Sequence, residues 1–307
     1  MSKQIIRIAT RKSPLALWQA NHVANLIKKQ WPSLTIELLP MLTSGDRFTK
    51  EALLSVGGKG LFVKELEEAL LDKRADLAVH SMKDVPAELP NGLEIFAICK
   101  RDNPFDAFVS QHYTQLAQLP PQSVIGTTSL RRQSQLLFWR PDLRIKSLRG
   151  NVNTRLDKLE KGEYDAIILA ASGLIRLELQ HHIGEIIQDD LMLPACGQGA
   201  LGIECRSMDS QLHQILAHLN DPSTASCVAA ERQVNARLGG NCHVPLAVFC
   251  QPENHDQLRL RAKVLSADGQ TLIFDEQTGP FASTLSLADA CADSLLHKGA
   301  DQLLANS

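Results

Sequence analysis

No run in the chain approaches the roughly 20 consecutive apolar residues that a membrane-spanning helix needs, so no membrane span is expected. The opening residues, MSKQIIRIATRKSP, lack a signal peptide's apolar core and cleavage site. A cytoplasmic protein is expected. The seven cysteines are scattered and odd in number, which argues against a complete disulfide framework. There is no CxxC pair, and the ten histidines show no HExxH or similar ligand spacing, so no metal site is expected. A basic excess is also missing: the formal net charge is −2, which argues against a nucleic-acid partner. Neither an internal repeat nor a low-complexity tract is present. The stretch Gly57-Gly58-Lys59-Gly60 has no Ser or Thr after the lysine and lacks the spacing of a phosphate loop.

What is present is a chain of 307 residues, longer than one hydrophobic core usually serves. Its first two-thirds alternates apolar strands with amphipathic helices. Strands are expected at Ile5 to Thr10, Leu34 to Met41, Asp76 to His80, Leu93 to Cys99, Val124 to Thr127, Arg144 to Leu148 and Asp165 to Ala170. Between them, Ala16, Ala20, Val23, Ala24 and Ile27 share one helical face, as do Phe62, Leu66, Ala69 and Leu70. Such alternation implies mostly parallel α/β sheets covered on both faces. Arg101 to Pro104 reads as a polar hinge, and LPACGQG (Leu193 to Gly199) as a second break. After Asp221-Pro222 a helix, strands near Pro245 to Cys250, Leu258 to Val264 and Gln270 to Glu276, and a helix from about Leu285 read as a smaller α+β domain. The expected division is 1–99 with a return at about 200–218, then 105–195, then 222–307. Cys99, Cys205 and Cys250 end or follow apolar runs, where a thiol acts as a small buried hydrophobe.

Basic residues recur where strands end and helices begin. Arg11 and Lys12 precede a cap at Ser13 with Pro14 in the first helical position. Arg131 and Arg132 follow a cap at Ser129; Arg149 and Arg155 flank one at Asn151; the run IILAASGLIR ends at Arg176. A cation in a first turn opposes the helix dipole by about 0.3–1 kcal/mol. Repeating that cost suggests compensation by an anion, and helix N-termini with guanidinium forks suit carboxylates or phosphates. Alternatively, each arginine partners a nearby Asp or Glu. In open α/β sheets the carboxyl ends of strands are where ligands bind.

Within HSMKDVP (His80 to Pro86), Asp84 occupies a strand-end loop as an acid/base candidate or a stabiliser of a transient cation, with Lys83 beside it. It could equally be a turn-forming Asp before a proline. Thr43 to Gly60 reads as a lid or as a plain surface loop. Cys242, in Gly239-Gly240-Asn241-Cys242-His243, lies in a polar turn, where a thiol is available as a nucleophile or attachment point.

Together these segments resemble the porphobilinogen deaminase family. The resemblance rests on IATRKSPLALWQA (Ile8 to Ala20), VGGKGLFVKELEEALL (Val56 to Leu71), ADLAVHSMKDVP (Ala75 to Pro86), GTTSLRRQ (Gly126 to Gln133) and SLRGNVNTRL (Ser147 to Leu156). It continues through YDAIILAASGL (Tyr164 to Leu174), LPACGQGALGIECR (Leu193 to Arg206) and the AER…GGNCHVP region (Ala230 to Pro245). The resemblance implies two lobes like those of periplasmic solute-binding proteins, plus the third domain. It implies a transferase that condenses four porphobilinogens head to tail, with loss of ammonia, on a dipyrromethane joined by thioether to Cys242. Hydroxymethylbilane is released and passed to the next enzyme of tetrapyrrole synthesis, and a monomer is expected. Asp84 matches the catalytic aspartate. Lys83, Ser129, Arg131 and Arg132 are then cofactor-binding, and Arg11, Ser13, Arg149, Arg155 and Arg176 substrate-binding, because every pyrrole brings an acetate and a propionate. The family commonly has Gly before the cofactor cysteine; here it is Asn241, a residue that tolerates a left-handed backbone. A two-lobed dicarboxylate-binding protein would share the basic cleft but would need neither Asp84 nor Cys242.

Overall fold

The computed structural model describes residues 5–47, 63–240 and 244–305. The chain divides into two compact units, Met1–Arg101 with Ala200–Ala225 and Asp102–Gly199 with Ser226–Ser307.

The first unit starts with β1 (Ile5–Arg11), in which Ile6, Ile8 and Ala9 are buried. Ser13 caps α1 (Pro14–Gln30), its hydroxyl accepting from the Ala16 N–H, with Pro14 in the first turn. The apolar face read from the sequence is the buried one: Ala16, Ala20, Val23, Ala24 and Ile27, with Gln19 among them. Then come β2 (Thr35–Met41), the single turn α2 (Ser44–Arg47), α3 (Lys64–Leu71), β3 (Leu77–Ser81) and β4 (Leu93–Ile98).

The second unit runs through β5 (Asp106–Val109), β6 (Val124–Gly126), α4 (Leu130–Trp139), β7 (Arg144–Lys146) and α5 (Val152–Glu160). It continues with β8 (Ala166–Ala170), α6 (Ala171–Arg176) and β9 (Glu185–Ile187). The chain then returns to the first unit as β10 (Leu201–Arg206) and α7 (Ser210–Leu216).

The two five-stranded sheets have orders β2-β1-β3-β10-β4 and β7-β6-β8-β5-β9. Each is mixed, with four strands pointing one way, as expected for a mostly parallel sheet, and one running against them. β1 pairs in parallel with β2 and β3, whereas β10 runs antiparallel to both β3 and β4. Likewise β6 is parallel to β7 and β8, whereas β5 is antiparallel to β8 and β9. The antiparallel members are strands the sequence pattern did not predict. β5 and β9, at four and three residues, are too short to display a period, and β10 directly follows the break at LPACGQG. At that break Gly199 has φ +87°, and a Cβ there would lie 2.8 Å from the Asp102 carbonyl oxygen, so only glycine lets the two passing segments approach.

The last part of the chain is α8 (Pro222–Arg237), an antiparallel meander of β11 (Leu246–Pro252), β12 (Gln257–Leu265) and β13 (Leu272–Pro280), then α9 (Thr284–His297) and α10 (Ala300–Ala305). Val234, Val248, Leu260, Val264, Cys291 and Leu295 share one buried core there. Within the second unit this sheet is tied down by Glu231, fully buried, which accepts from the Gly197 N–H at 2.6 Å and the Cys250 N–H at 2.9 Å. Phe105, Leu193, Ala247 and Phe249 add an apolar contact. Cys99, Cys205 and Cys250 are buried, as their apolar settings predicted. Burial pushes the thiols of Cys205 and Cys291 up to about 12 and leaves both inert near neutrality. No helix among the described residues is long and apolar enough to cross a membrane.

Candidate active site

In the first unit the chemistry gathers where β1 and β3 end. Arg11 closes β1 and Ser13 opens α1. β3 ends at Ser81 and passes into a single 3-10 turn, Met82–Asp84. That turn is anchored by Met82, whose side chain is buried and whose N–H donates to the Ala200 carbonyl at 3.0 Å, while the Val85 N–H returns to the Met82 carbonyl at 3.2 Å. Asp84 is thereby held exposed at the end of a rigid strand. Arg11, Ser13, Gln19, His80, Ser81 and Asp84 line one cavity of about 60 Å³, walled on its apolar side by Val63, Leu66 and Val79. Lys83, half-buried, sits next to Asp84 in the same turn.

Three members of this wall, Gln19, His80 and Ser81, escaped the sequence reading. Gln19 carried a signal: it is the polar residue on the otherwise apolar face of α1. It is 3 % exposed, and its Nε2 donates to Ser81 Oγ at 2.8 Å. Behind the cavity, His80 Nε2 lies 2.8 Å from Glu204 Oε2, with both side chains buried.

In the second unit the basic helix start at α4 is built differently. Arg131 and Arg132 are both buried, and a carboxylate compensates them from inside the protein. Asp106, at the start of β5 and wholly buried, receives Arg132 Nη2 at 2.7 Å and Nε at 3.1 Å, with Arg131 Nη1 2.8 Å from its Oδ2. Arg131 Nη1 also donates to the Leu193 carbonyl at 2.7 Å, Arg132 Nη1 to that of Ile168 at 2.9 Å, and Gln198 Nε2 to Asp106 Oδ1 at 3.1 Å. Burial alone would raise the Asp106 carboxyl, but the two guanidinium charges hold it well below the usual carboxylate range. Two cations against one anion still leave a positive excess at this helix start.

Arg176 also meets a protein partner: its Nε donates to Asp102 Oδ2 at 2.9 Å and its Nη2 to the Gly199 carbonyl at 2.8 Å. Arg155 Nε donates to the Gly150 carbonyl at 2.8 Å, and Asn151 caps α5 by accepting from the Thr154 N–H at 2.9 Å. Ser129 occupies the cap position of α4, but its hydroxyl makes no capping bond. Arg149 Nε is buried with no hydrogen-bond partner among the described residues, the kind of orphan donor that a ligand oxygen relieves. Asp106 was missed because it lies in a strand too short to show a pattern. Asn241, Cys242 and His243, and most of the Thr43 to Gly60 stretch, lie outside the described residues. No cluster of His, Cys, Asp and Glu among the described residues could hold a metal ion.

An acid at a strand end beside cationic and hydroxyl donors, with arginine-rich helix starts elsewhere in the chain, suits an enzyme that handles a polycarboxylate. Comparison with known proteins makes this specific. Residues 6–214 match the family model of the porphobilinogen deaminase dipyrromethane cofactor-binding domain, and residues 225–297 that of the porphobilinogen deaminase C-terminal domain. A porphobilinogen deaminase of Legionella pneumophila strain Philadelphia 1 is 64 % identical over 304 residues, covering 99 % of this chain and 98 % of its own. The one of strain Lens is 63 % identical with the same coverage. The chain belongs to the porphobilinogen deaminase family. It is a transferase that condenses four porphobilinogens head to tail, with loss of ammonia, on a dipyrromethane cofactor and releases hydroxymethylbilane for tetrapyrrole and haem biosynthesis.

Among solved structures, a periplasmic substrate-binding protein of an ABC transporter from Coxiella burnetii aligns over 74 % of this chain and 96 % of its own, at 15 % identity and a TM-score of 0.44. A nutrient-binding protein from Burkholderia cenocepacia bound to methionine aligns over 69 % and 90 %, at 14 % identity and the same TM-score of 0.44.

Proposed function

We propose that Asp84 is the catalytic acid/base of this condensation. The observation that carries the assignment is the cavity that Asp84 shares with Arg11 and Ser13. When porphobilinogen loses ammonia, positive charge spreads onto the pyrrole nitrogen, and an exposed carboxylate on an anchored turn is suited to stabilise that charge. The same carboxylate can take the proton released at the ring carbon joined to the next unit, while the departing ammonia takes one up, so each condensation is balanced in protons. Arg11 and Ser13 hold substrate carboxylates in this reading. A hydrogen bond to a charged group contributes about 1.5–3 kcal/mol, so several are needed for a chain that gains two carboxylates with every unit.

The dipyrromethane supplies a tethered pyrrole end on which the polymer grows. Cys242 is the proposed thioether attachment. The donors present suit such a polyanion: Arg149 has a buried N–H to offer, the Ser129 hydroxyl is not spent on a cap, and Arg131 and Arg132 carry one charge more than Asp106 neutralises. Lys83, Arg155 and Arg176 complete the set. Arg131 and Arg176 act with one edge committed to protein acceptors, which fixes the orientation of the rest of each guanidinium, while Arg132, bonded to protein through all three nitrogens, contributes its charge. The chain is taken to function in three domains, 1–99 with 200–218, 105–195 and 222–307, as a cytoplasmic monomer that passes its product to the next enzyme. The described cysteines are mostly buried and form no disulfide with one another, which suits a reducing compartment.

Intact-protein mass spectrometry tests the reading. Active protein should exceed its sequence mass by two linked pyrroles, and Cys242→Ser should lack the adduct. Asp84→Asn should keep the adduct and fold yet lose at least about 100-fold in kcat, the usual scale for a lost acid/base. Wild-type turnover in Asp84→Asn would overturn the catalytic assignment, and a bare mass in active protein would overturn the attachment.

A further inference from the structure

Helix α8 ends just ahead of Cys242 in the chain, and the way it ends is specific. Two backbone bonds close it: the Gly239 N–H donates to the Ala236 carbonyl at 3.1 Å, and the Gly240 N–H to the Asn235 carbonyl at 2.8 Å. Gly239 has φ +63°, and this pair of bonds around a left-handed glycine is the Schellman closure of a helix. An apolar contact from the outer residue to the last turn frequently completes such a closure. Here the outer residue is Gly240, which has no side chain to offer, and a polar bond takes that place. Asn235 Nδ2 donates to the Gly240 carbonyl at 3.1 Å. One residue thus holds Gly240 twice, its main-chain carbonyl taking the N–H and its side-chain amide the carbonyl.

The fit is close. A Cβ at Gly240 would lie 2.2 Å from Asn235 Oδ1 and 2.8 Å from Leu246 Cδ2. Leu246 opens β11, so the two ends of the connection from Gly240 to Leu246 pack against each other. Asn is a poor helix former, because its side chain competes for backbone groups, and at this helix end it is used for that competition. The helix itself is secured by other residues. Glu231, one turn earlier, accepts from the Gly197 and Cys250 N–H groups, Gln233 Nε2 donates to Asp289 Oδ1 at 2.9 Å, and Arg237 pairs with Asp289 and Asp293.

We propose that Asn235 is a positioning residue for cofactor attachment: by gripping Gly240 it fixes the point from which the chain presents Cys242, two residues on, and so sets how readily that thiol is joined to its pyrroles. The inference rests on Cys242 being the attachment. In that step the sulfur bonds to the aminomethyl carbon of a porphobilinogen, the carbon–nitrogen bond breaks, and the thiol proton leaves with the ammonia. A second pyrrole is then added with loss of a second ammonia. A tethered thiol reacts at a rate set by how often it is held in line with that carbon, and an unclamped root lowers that share.

The test follows full-length protein, produced without porphobilinogen, as it gains the two-pyrrole mass after porphobilinogen is added. Intact-protein mass spectrometry gives the loading rate, and thermal unfolding is measured beside it. Asn235→Ala, and the isosteric Asn235→Asp, which cannot donate to the Gly240 carbonyl, should load about three- to tenfold more slowly than the wild type, the factor that one net hydrogen bond is worth. Gly240→Ala drives a Cβ against the Asn235 amide and should slow loading as well. Joining it to Asn235→Ala should add little further, because both break one contact. Arg237→Ala controls for plain helix stability: it removes two ion pairs from the same end of α8 and should at most lower the melting temperature, leaving the loading rate unchanged. Wild-type loading in either Asn235 variant, or an equal slowing in Arg237→Ala, would overturn the positioning role. Failure of the attachment itself would look different: Cys242→Ser would then gain the adduct, whatever Asn235 does.

Discussion

The two five-stranded sheets are built to the same order, two parallel pairings and then two antiparallel ones, with the strand that runs against the others in the fourth place. Each also buries a carboxylate near the carboxyl ends of its parallel strands, yet the two acids are treated oppositely. In the second sheet Asp106 sits between two arginines that hold its carboxyl far below the ordinary range. In the first, Glu67 sits beside another carboxylate and is driven up to about 7. One sheet locks its charges into a fixed, net-cationic brace; the other keeps a group poised to change charge. The same topology thus carries a fixed ion cluster in one unit and a carboxyl raised toward neutrality in the other, and side chains at only a few positions make the difference. Fold alone does not assign function.

The largest effect is expected from breaking the brace. Asp106→Asn leaves two buried guanidinium ions facing a neutral amide and should cost about 3–5 kcal/mol in urea unfolding. Because folding lowers the Asp106 carboxyl, its contribution is complete above the unfolded value near 3.9 and is lost as the pH falls further. Wild-type stability should therefore drop in acid more steeply than that of Asp106→Asn. If the two stability curves run parallel below pH 4, the brace is not what holds this unit.

Much of this contrast could be read in the sequence, and the rest could not for definite reasons. The cap at Ser13 and the apolar face of α1 follow from residue types at fixed spacing, and both are found. The basic helix starts were equally visible. What compensates them was not, because Asp106 lies 25 residues before Arg131 in a four-residue strand that shows no period. The antiparallel members β5 and β10 were hidden likewise: strand direction depends on where the chain returns, and local pattern carries no record of that. His80 was in view within HSMKDVP, but its buried partner Glu204 lies 124 residues away.

A smaller effect, opposite in sign, is expected in the first sheet. Folding raises the Glu67 carboxyl from 4.5 to about 7, so the native state holds a proton that the unfolded chain releases. This contribution is complete below pH 4.5 and fades as the pH rises through 7. Glu67→Gln removes that dependence and should be about 1 kcal/mol more stable than wild type at pH 8, with little difference at pH 5. Thermal unfolding at the two pH values measures it; a variant less stable at pH 8 would mean that Glu67 is held by bonds to its ionised form.

The smallest contrast concerns the two serine caps. Ser13 and Ser129 occupy the same place, the residue before a helix that follows a parallel strand, and both precede a helix without an acidic residue in its first turn. Ser13 accepts from the Ala16 N–H at 3.3 Å, a long bond, whereas Ser129 makes no capping bond. Ser13→Ala should therefore cost about 0.5–1 kcal/mol in unfolding free energy, the low end for a lost cap, whereas Ser129→Ala should fall within about 0.5 kcal/mol of wild type, like a surface change. Activity should separate from stability: with its hydroxyl unspent on the helix, Ser129 has it to offer an anion, and removing it should weaken retention of pyrrole intermediates while leaving stability alone, whereas Ser13→Ala should lower both. Denaturation and ion-exchange separation of enzyme–pyrrole complexes, run on both variants, read the two quantities separately. An Ser129→Ala variant that loses as much stability as Ser13→Ala would show that its hydroxyl serves the helix after all.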